Sequence, residues 1–154
     1  MRIFRIGDGR HPVWDGTGAA LLGGRWNSAG KPVIYGSPTY SCAMLEILAH
    51  AGIGRIPRTH RHVVVEVPDG VSVERHDADS LPDGWESEDS APASAFGDRW
   101  LDERRSAVLV VPSVIARLDW NALVNPLHPE AALLRPSQPE HVIWDKRLFA
   151  RPGG

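Results

Sequence analysis

The chain has 154 residues, enough for one domain with a buried core. Charged residues make up 23% of it and the formal net charge is −2, which excludes the positive excess of a protein that grips nucleic acid with its own surface. One cysteine, Cys42, excludes an intramolecular disulfide and a cysteine-based zinc cage.

The start, Met1 to Arg5, has no signal-peptide apolar run, and no segment approaches the ~18 apolar residues that span a membrane, so a soluble cytoplasmic protein is expected. The first 30 residues show little regular pattern. Gly23-Gly24-Arg25-Trp26-Asn27 and Ser28-Ala29-Gly30 read as loop, with glycines where another group comes close. Residues 32–35 form a short apolar run, read as a strand. Ser37-Pro38 then predicts a helix start, with the helix running to about Ala51 and Gly52 as its stop. Met44, Leu45, Ile47, Leu48 and Ala51 cover most of its circumference, the mark of a buried helix.

Residues 62–67 are a β-branched strand closed by Pro68. From Asp69 to Ala95 the pattern dissolves into Asp, Glu, Ser, Pro and Gly, read as a surface excursion within one domain. Phe96 to Arg104 reads as a short helix and residues 107–111 as a second strong strand. Asn125-Pro126 and His128-Pro129 are turn material, and residues 141–144 read as a last strand. The expected fold is α+β, a single domain over 1–154 with a central mixed or antiparallel sheet and flanking helices.

Three residues carry chemistry. Arg25 lies in the glycine-rich loop, where a guanidinium can fork onto phosphate oxygens. Tyr35 offers a flat face to a heteroaromatic ring. Glu46 stands in an apolar helix, where an unpaired charge costs several kcal/mol, so it needs a partner or a task. Each alone is ordinary: a surface arginine, a core tyrosine, a helix-face glutamate. Together they suit a nucleotide-like substrate whose sugar gains positive charge as a bond breaks. His50, His60, His62, His128 and His141 lack the paired spacing of a zinc site, so no metal is expected. Arg55, Arg58 and Arg61 read as a solvated loop, with phosphate contact the alternative.

Read in order, these motifs resemble the RES domain. The segments that carry the resemblance are Phe4-Arg5-Ile6, Gly23-Gly24-Arg25-Trp26-Asn27, Tyr35-Gly36-Ser37, Ala43-Met44-Leu45-Glu46, Gly97 to Leu101, Ser106 to Ser113, Asn125 to Pro129 and Asp145-Lys146-Arg147-Leu148. The resemblance implies an ADP-ribosyltransferase-like fold, NAD⁺ as substrate rather than cofactor, and a toxin that breaks the nicotinamide–ribose bond. The acceptor stays open among phosphate, water and a protein side chain, which separates NAD⁺ phosphorylase, glycohydrolase and ADP-ribosyltransferase. A non-catalytic module that binds NAD⁺ or ADP-ribose is the alternative outside enzymes. The resemblance also implies an Xre-like antitoxin partner with a helix-turn-helix domain, and a homodimer within that complex. It implies that Arg25 binds phosphate or ribose oxygens, Tyr35 stacks on nicotinamide, and Glu46 stabilises the oxocarbenium-like transition state. The functional serine lies between Ser106 and Ser113, with Ser106 favoured because Ser113 follows a proline at a strand end. Asn27 and Ser37 are expected in the binding site. Asn125 either lines the pocket or orders its turn.

Overall fold

The computed structural model describes residues 1–50 and 54–149. Among the described residues seven strands form two sheets, and of three α-helices one packs outside each sheet. β1 (Arg2–Asp8), β3 (His60–Glu66) and β7 (Glu140–His141) form an antiparallel sheet with β3 central. β2 (Ile34–Gly36), β6 (Trp120–Val124), β5 (Val108–Pro112) and β4 (Val73–Arg75) form a mixed sheet in that order, parallel only between β4 and β5. A reciprocal backbone pair, Phe4 with Ser37 at 2.8 and 2.9 Å, ties the two sheets together. The fold is thus α+β as expected, but the sheet is split in two.

The period-2 rule explains the layers. On β5, Val108 and Val110 point into the space between the sheets, where they meet Ile3, Ile34 and Val65. Leu109 and Val111 point the other way, against Trp26, Trp85 and the helix α3 (Ala91–Glu103). The strand is buried on both faces, which is why it reads as an unbroken apolar run. On the outer side of the first sheet, Ile6 meets Ala43 and Leu48 of α2 (Tyr40–His50). Burying side chains of this size contributes about 1.5–3 kcal/mol each.

Several expectations change. β1 and the six-residue α1 (Thr17–Leu22) occupy a region that lacks obvious periodicity. α2 begins at Tyr40, because Ser37 spends its backbone on Phe4; Thr39 Oγ1 instead accepts from the Cys42 amide at 3.3 Å. The expected stop at Gly52, and Ala51, lie outside the described residues. α2 is not buried all round, since Leu45 and Ala49 are exposed. α3 starts five residues before Phe96, with Pro92 in its first turn and Asp89 Oδ1 accepting from the Ala91 amide at 3.0 Å. The last strand is only Glu140–His141.

The irregular stretch is not a simple excursion. Val71, Leu81, Trp85 and Ala93 within residues 69–95 are all buried, Val71 between the sheets and the other three on the α3 side, so the stretch supplies core on both sides of the mixed sheet. Among the described residues no helix is long and apolar enough to cross a membrane.

Candidate active site

A cleft of about 600 Å³ opens where α2, the Arg25 loop, β2 and the turn after β5 converge. That volume lies within the range of small-molecule sites. Arg25, Tyr35, Ser37 and Glu46 all line it, and so does Asn121 of β6.

The Glu46 carboxylate is held by one oxygen. Its Oε1 accepts from Ser113 Oγ at 2.8 Å and from Asn121 Nδ2 at 2.8 Å. The Ser113 hydroxyl in turn accepts from the amides of Ile115 (3.2 Å) and Ala116 (3.0 Å). With its lone pairs engaged there, its single proton is committed to Glu46. Ser113 is fully buried, and its position after Pro112 at the strand end is what aims it at the helix. The apolar helix thus supplies the carboxylate, and two polar groups from the mixed sheet answer its charge.

Ser106 is elsewhere. It is buried beneath α3, where its Oγ accepts from Trp100 Nε1 at 2.8 Å and donates to the Val108 carbonyl at 2.8 Å. The serine beside Glu46 is therefore Ser113, and the earlier preference for Ser106 is corrected: Ser106 satisfies a buried indole N–H. Asn125 also stands away from the cleft. Its amide donates to the Leu101 carbonyl at 3.2 Å and its oxygen accepts from the Leu127 amide at 3.0 Å, so it orders the turn.

Asn27 organises the loop rather than lining the cleft. Its Nδ2 donates to the carbonyls of Ala19 and Lys31, both at 2.9 Å, while Oδ1 accepts from the Tyr35 hydroxyl at 2.6 Å. The same phenol accepts from the Trp26 amide at 3.0 Å. Burial pushes the Tyr35 phenol well above its ordinary range, which keeps it a neutral donor. Gly24 permits this approach: a Cβ there would lie 2.7 Å from the Tyr35 hydroxyl oxygen. Beneath Tyr35, Arg5 donates from Nη1 to its carbonyl at 2.7 Å and from Nε to the Val13 carbonyl at 2.5 Å. Burial lowers the proton affinity of Arg5, opposed by the nearby Asp15.

Arg25 is half-buried, and its Nη1 donates to the carbonyls of Trp85 (3.0 Å) and Ser87 (2.8 Å). The irregular stretch therefore reaches the cleft, where Glu88 and Ser90 form part of the wall. A guanidinium has five N–H donors, so three remain for a ligand. The loop is pinned from behind by α3: Ser28 bonds Asp98 through its amide at 2.8 Å and its hydroxyl at 2.5 Å, and Lys31 pairs with Asp102 at 2.6 Å.

Sequence reasoning missed Asn121, which sits in an unpredicted strand, and the cleft-lining His50, one turn beyond Glu46 on α2. The signal for His50 was its i+4 spacing from Glu46. Arg55, Arg58 and Arg61 do not line the cleft. Among the described residues no group of three or more His, Cys, Asp or Glu side chains is placed to hold a metal ion.

This chain is similar to proteins already named as toxins. A Sphingobium protein named Prs ADP-ribosylating toxin is 36% identical over 139 residues, covering 88% of this chain and 86% of its own. A Pseudomonas putida protein named Toxin Res is 38% identical over 136 residues, covering 87% and 91%. The fold is shared with a chain in the crystal structure of the M. tuberculosis MbcT-MbcA toxin-antitoxin complex, at TM-score 0.74 and 18% identity, over 92% of this chain and 83% of that one. The RES domain family model matches residues 2–145, a span that holds both sheets and every residue of the cleft, and this chain belongs to the RES domain family.

Proposed function

We propose that this protein is the toxin of a toxin–antitoxin pair and acts by cleaving the nicotinamide–ribose bond of NAD⁺. The observation that carries the reading is the Glu46 carboxylate, fixed through Oε1 by Ser113 and Asn121 in the wall of a cleft that also presents Arg25 and Tyr35. The names of the curated relatives support it in kind.

The chemistry follows from the leaving group. Nicotinamide is cationic in NAD⁺ and departs neutral with the electron pair of the breaking C–N bond, so no acid is required. The ribose carbon is left electron-poor. A fixed carboxylate beside it lowers the cost of that charge in proportion to how little it must reorganise. In this reading Glu46 Oε2 accepts from a ribose hydroxyl, the remaining N–H groups of Arg25 hold diphosphate oxygens, and the face of Tyr35 meets the nicotinamide ring. The acceptor then bonds to the same carbon: water yields ADP-ribose, and inorganic phosphate yields ADP-ribose-1″-phosphate.

A protein acceptor is the second reading, favoured by the ADP-ribosylating name of the Sphingobium relative. The partner in either case is an antitoxin, with an Xre-like helix-turn-helix domain carrying any DNA contact. Its placement over the cleft mouth agrees with the apolar side chains exposed at that rim, Leu22 at 87% and Ile115 at 42%. The proposed setting is the cytoplasm, where NAD⁺ is present.

The test is to incubate purified protein with NAD⁺, with and without inorganic phosphate, and to resolve the products. Nicotinamide release in step with ADP-ribose or its 1″-phosphate supports the reading and identifies the acceptor. Nicotinamide release without ADP-ribose or its 1″-phosphate, with the ADP-ribosyl label of NAD⁺ appearing on a bacterial protein added to the assay, moves the assignment to the transferase.

A further inference from the structure

Asn121 lines the cleft but lies outside the segments that carry the family resemblance. Its side chain joins α2 to the turn that follows β2, with the Cys42 thiol of α2 a weak further donor to its oxygen at 3.9 Å. Nδ2 donates to Glu46 Oε1 at 2.8 Å, and Oδ1 accepts from Ser37 Oγ at 2.7 Å. The amide has one usable orientation, because a carboxylate accepts only and must meet the NH₂ side. The hydroxyl of Ser37 then confirms the other end by donating to the carbonyl oxygen. Ser37 is itself fixed by the reciprocal backbone pair with Phe4 that joins the two sheets.

We infer that Asn121 is a positioning residue for Glu46, with Ser37 aligning its amide, and that the pair divides the labour of the two carboxylate oxygens. Among the described residues every hydrogen bond to the Glu46 carboxylate ends on Oε1. Two donors from separate strand ends, Ser113 and Asn121, fix the rotation of the carboxylate about its last bond. Oε2 is thereby left for a ligand in the cleft. One donor alone would hold the oxygen but leave that rotation loose. This inference rests on the reading of Glu46 as the group that stabilises the reacting ribose. It also gives Ser37 a different task from the direct substrate contact expected of it: Ser37 acts on the substrate through Asn121.

The experiment measures nicotinamide release as kcat and KM for the wild type, Asn121→Ala, Asn121→Asp, Glu46→Gln and the double variant Asn121→Ala/Glu46→Gln, each checked for a cooperative melt. Asn121→Ala is expected to lower kcat by about 10²-fold with KM within a few-fold, as for a reacting group misplaced by about 1 Å. In the Glu46→Gln background the same change is expected to have little further effect, since the group it positions is already disabled. Asn121→Asp keeps the size but puts a carboxylate against Glu46, and is expected to lose at least as much kcat as the alanine variant. If Asn121→Ala does not fold, the isosteric aspartate variant decides. A folded Asn121 variant with wild-type kcat overturns the inference, as does an equal loss in both backgrounds, which marks a general structural effect. Full turnover by Glu46→Gln overturns the reading of Glu46 and this inference with it. Loss in Glu46→Gln alongside wild-type kcat in Asn121→Ala overturns only the inference.

Discussion

Replacing Gly97 by alanine tests how the fold delivers Arg25 to the cleft. Gly97 lies in α3 with its missing side chain against the backbone of Trp26; a Cβ there would stand 1.7 Å from the Trp26 carbonyl oxygen and 2.7 Å from its carbon. An ordinary contact begins near 3.4 Å, so helix and loop must separate by about 1.7 Å. Neither side yields easily. Ala93 and Trp100 on the same helix are fully buried, and the loop is tied to α3 through Ser28–Asp98 and Lys31–Asp102. Alanine gains ~1 kcal/mol over glycine in a helix interior, but overpacking a core costs ~1–3 kcal/mol and sometimes more. A backbone-to-backbone clash belongs at the upper end, for a net loss of about 2–3 kcal/mol. In a domain of this size that lowers Tm by roughly 5–10 °C. Trp26 adjoins Arg25, so kcat/KM for NAD⁺ should also fall, by on the order of 10²-fold for a displacement of an ångström or more. Thermal melts and nicotinamide release on the same preparation read both effects. An alanine variant that melts with the wild type and keeps its rate would refute the argument that this helix sets the loop.

The two serines give opposite outcomes. Ser106→Ala strands the buried Trp100 indole N–H and should cost ~1–3 kcal/mol of stability while folded protein keeps its turnover. Ser113→Ala removes a donor to Glu46 and should reduce kcat sharply; equal kcat for both variants would contradict the assignment. Arg25→Ala should chiefly raise the Kd for NAD⁺, measured by calorimetry, and an unchanged Kd would remove Arg25 from the substrate contacts. Burial pushes the Cys42 thiol above its ordinary value of 9.0, and the thiolate is the reactive form. Alkylation by iodoacetamide at pH 8 should therefore be slow in native protein and fast in urea; equal rates would place Cys42 outside the core.

The elements that read clearly in the sequence were those with one dominant force. β5 is an apolar run buried on both faces and β3 carries three successive valines with Val63 and Val65 buried, and α2 announces itself by apolar spacing. β1 escaped because Arg2 and Arg5 interrupt it, although Ile3 and Ile6 face opposite cores. β6 escaped because asparagine and alanine are weak strand formers; its place depends on pairing with both β2 and β5. That miss hid Asn121. Of the site, Arg25, Tyr35 and Glu46 were legible as unusual residues in their local settings. Choosing Ser113 over Ser106 was not, because both stand at ends of one strand and only the crossing of α2 decides which meets a carboxylate. The reach of the 85–90 segment into the cleft depends on hydrogen bonds from Arg25 about 60 residues away, which no local pattern records.

The most direct test of the central claim compares wild type and Glu46→Gln for NAD⁺ binding and nicotinamide release, side by side. The substitution keeps size and an acceptor oxygen while removing the charge, so fold and most NAD⁺ affinity should survive while release falls steeply to a small residual rate. Wild-type release by Glu46→Gln would contradict the claim that this carboxylate stabilises the reacting ribose.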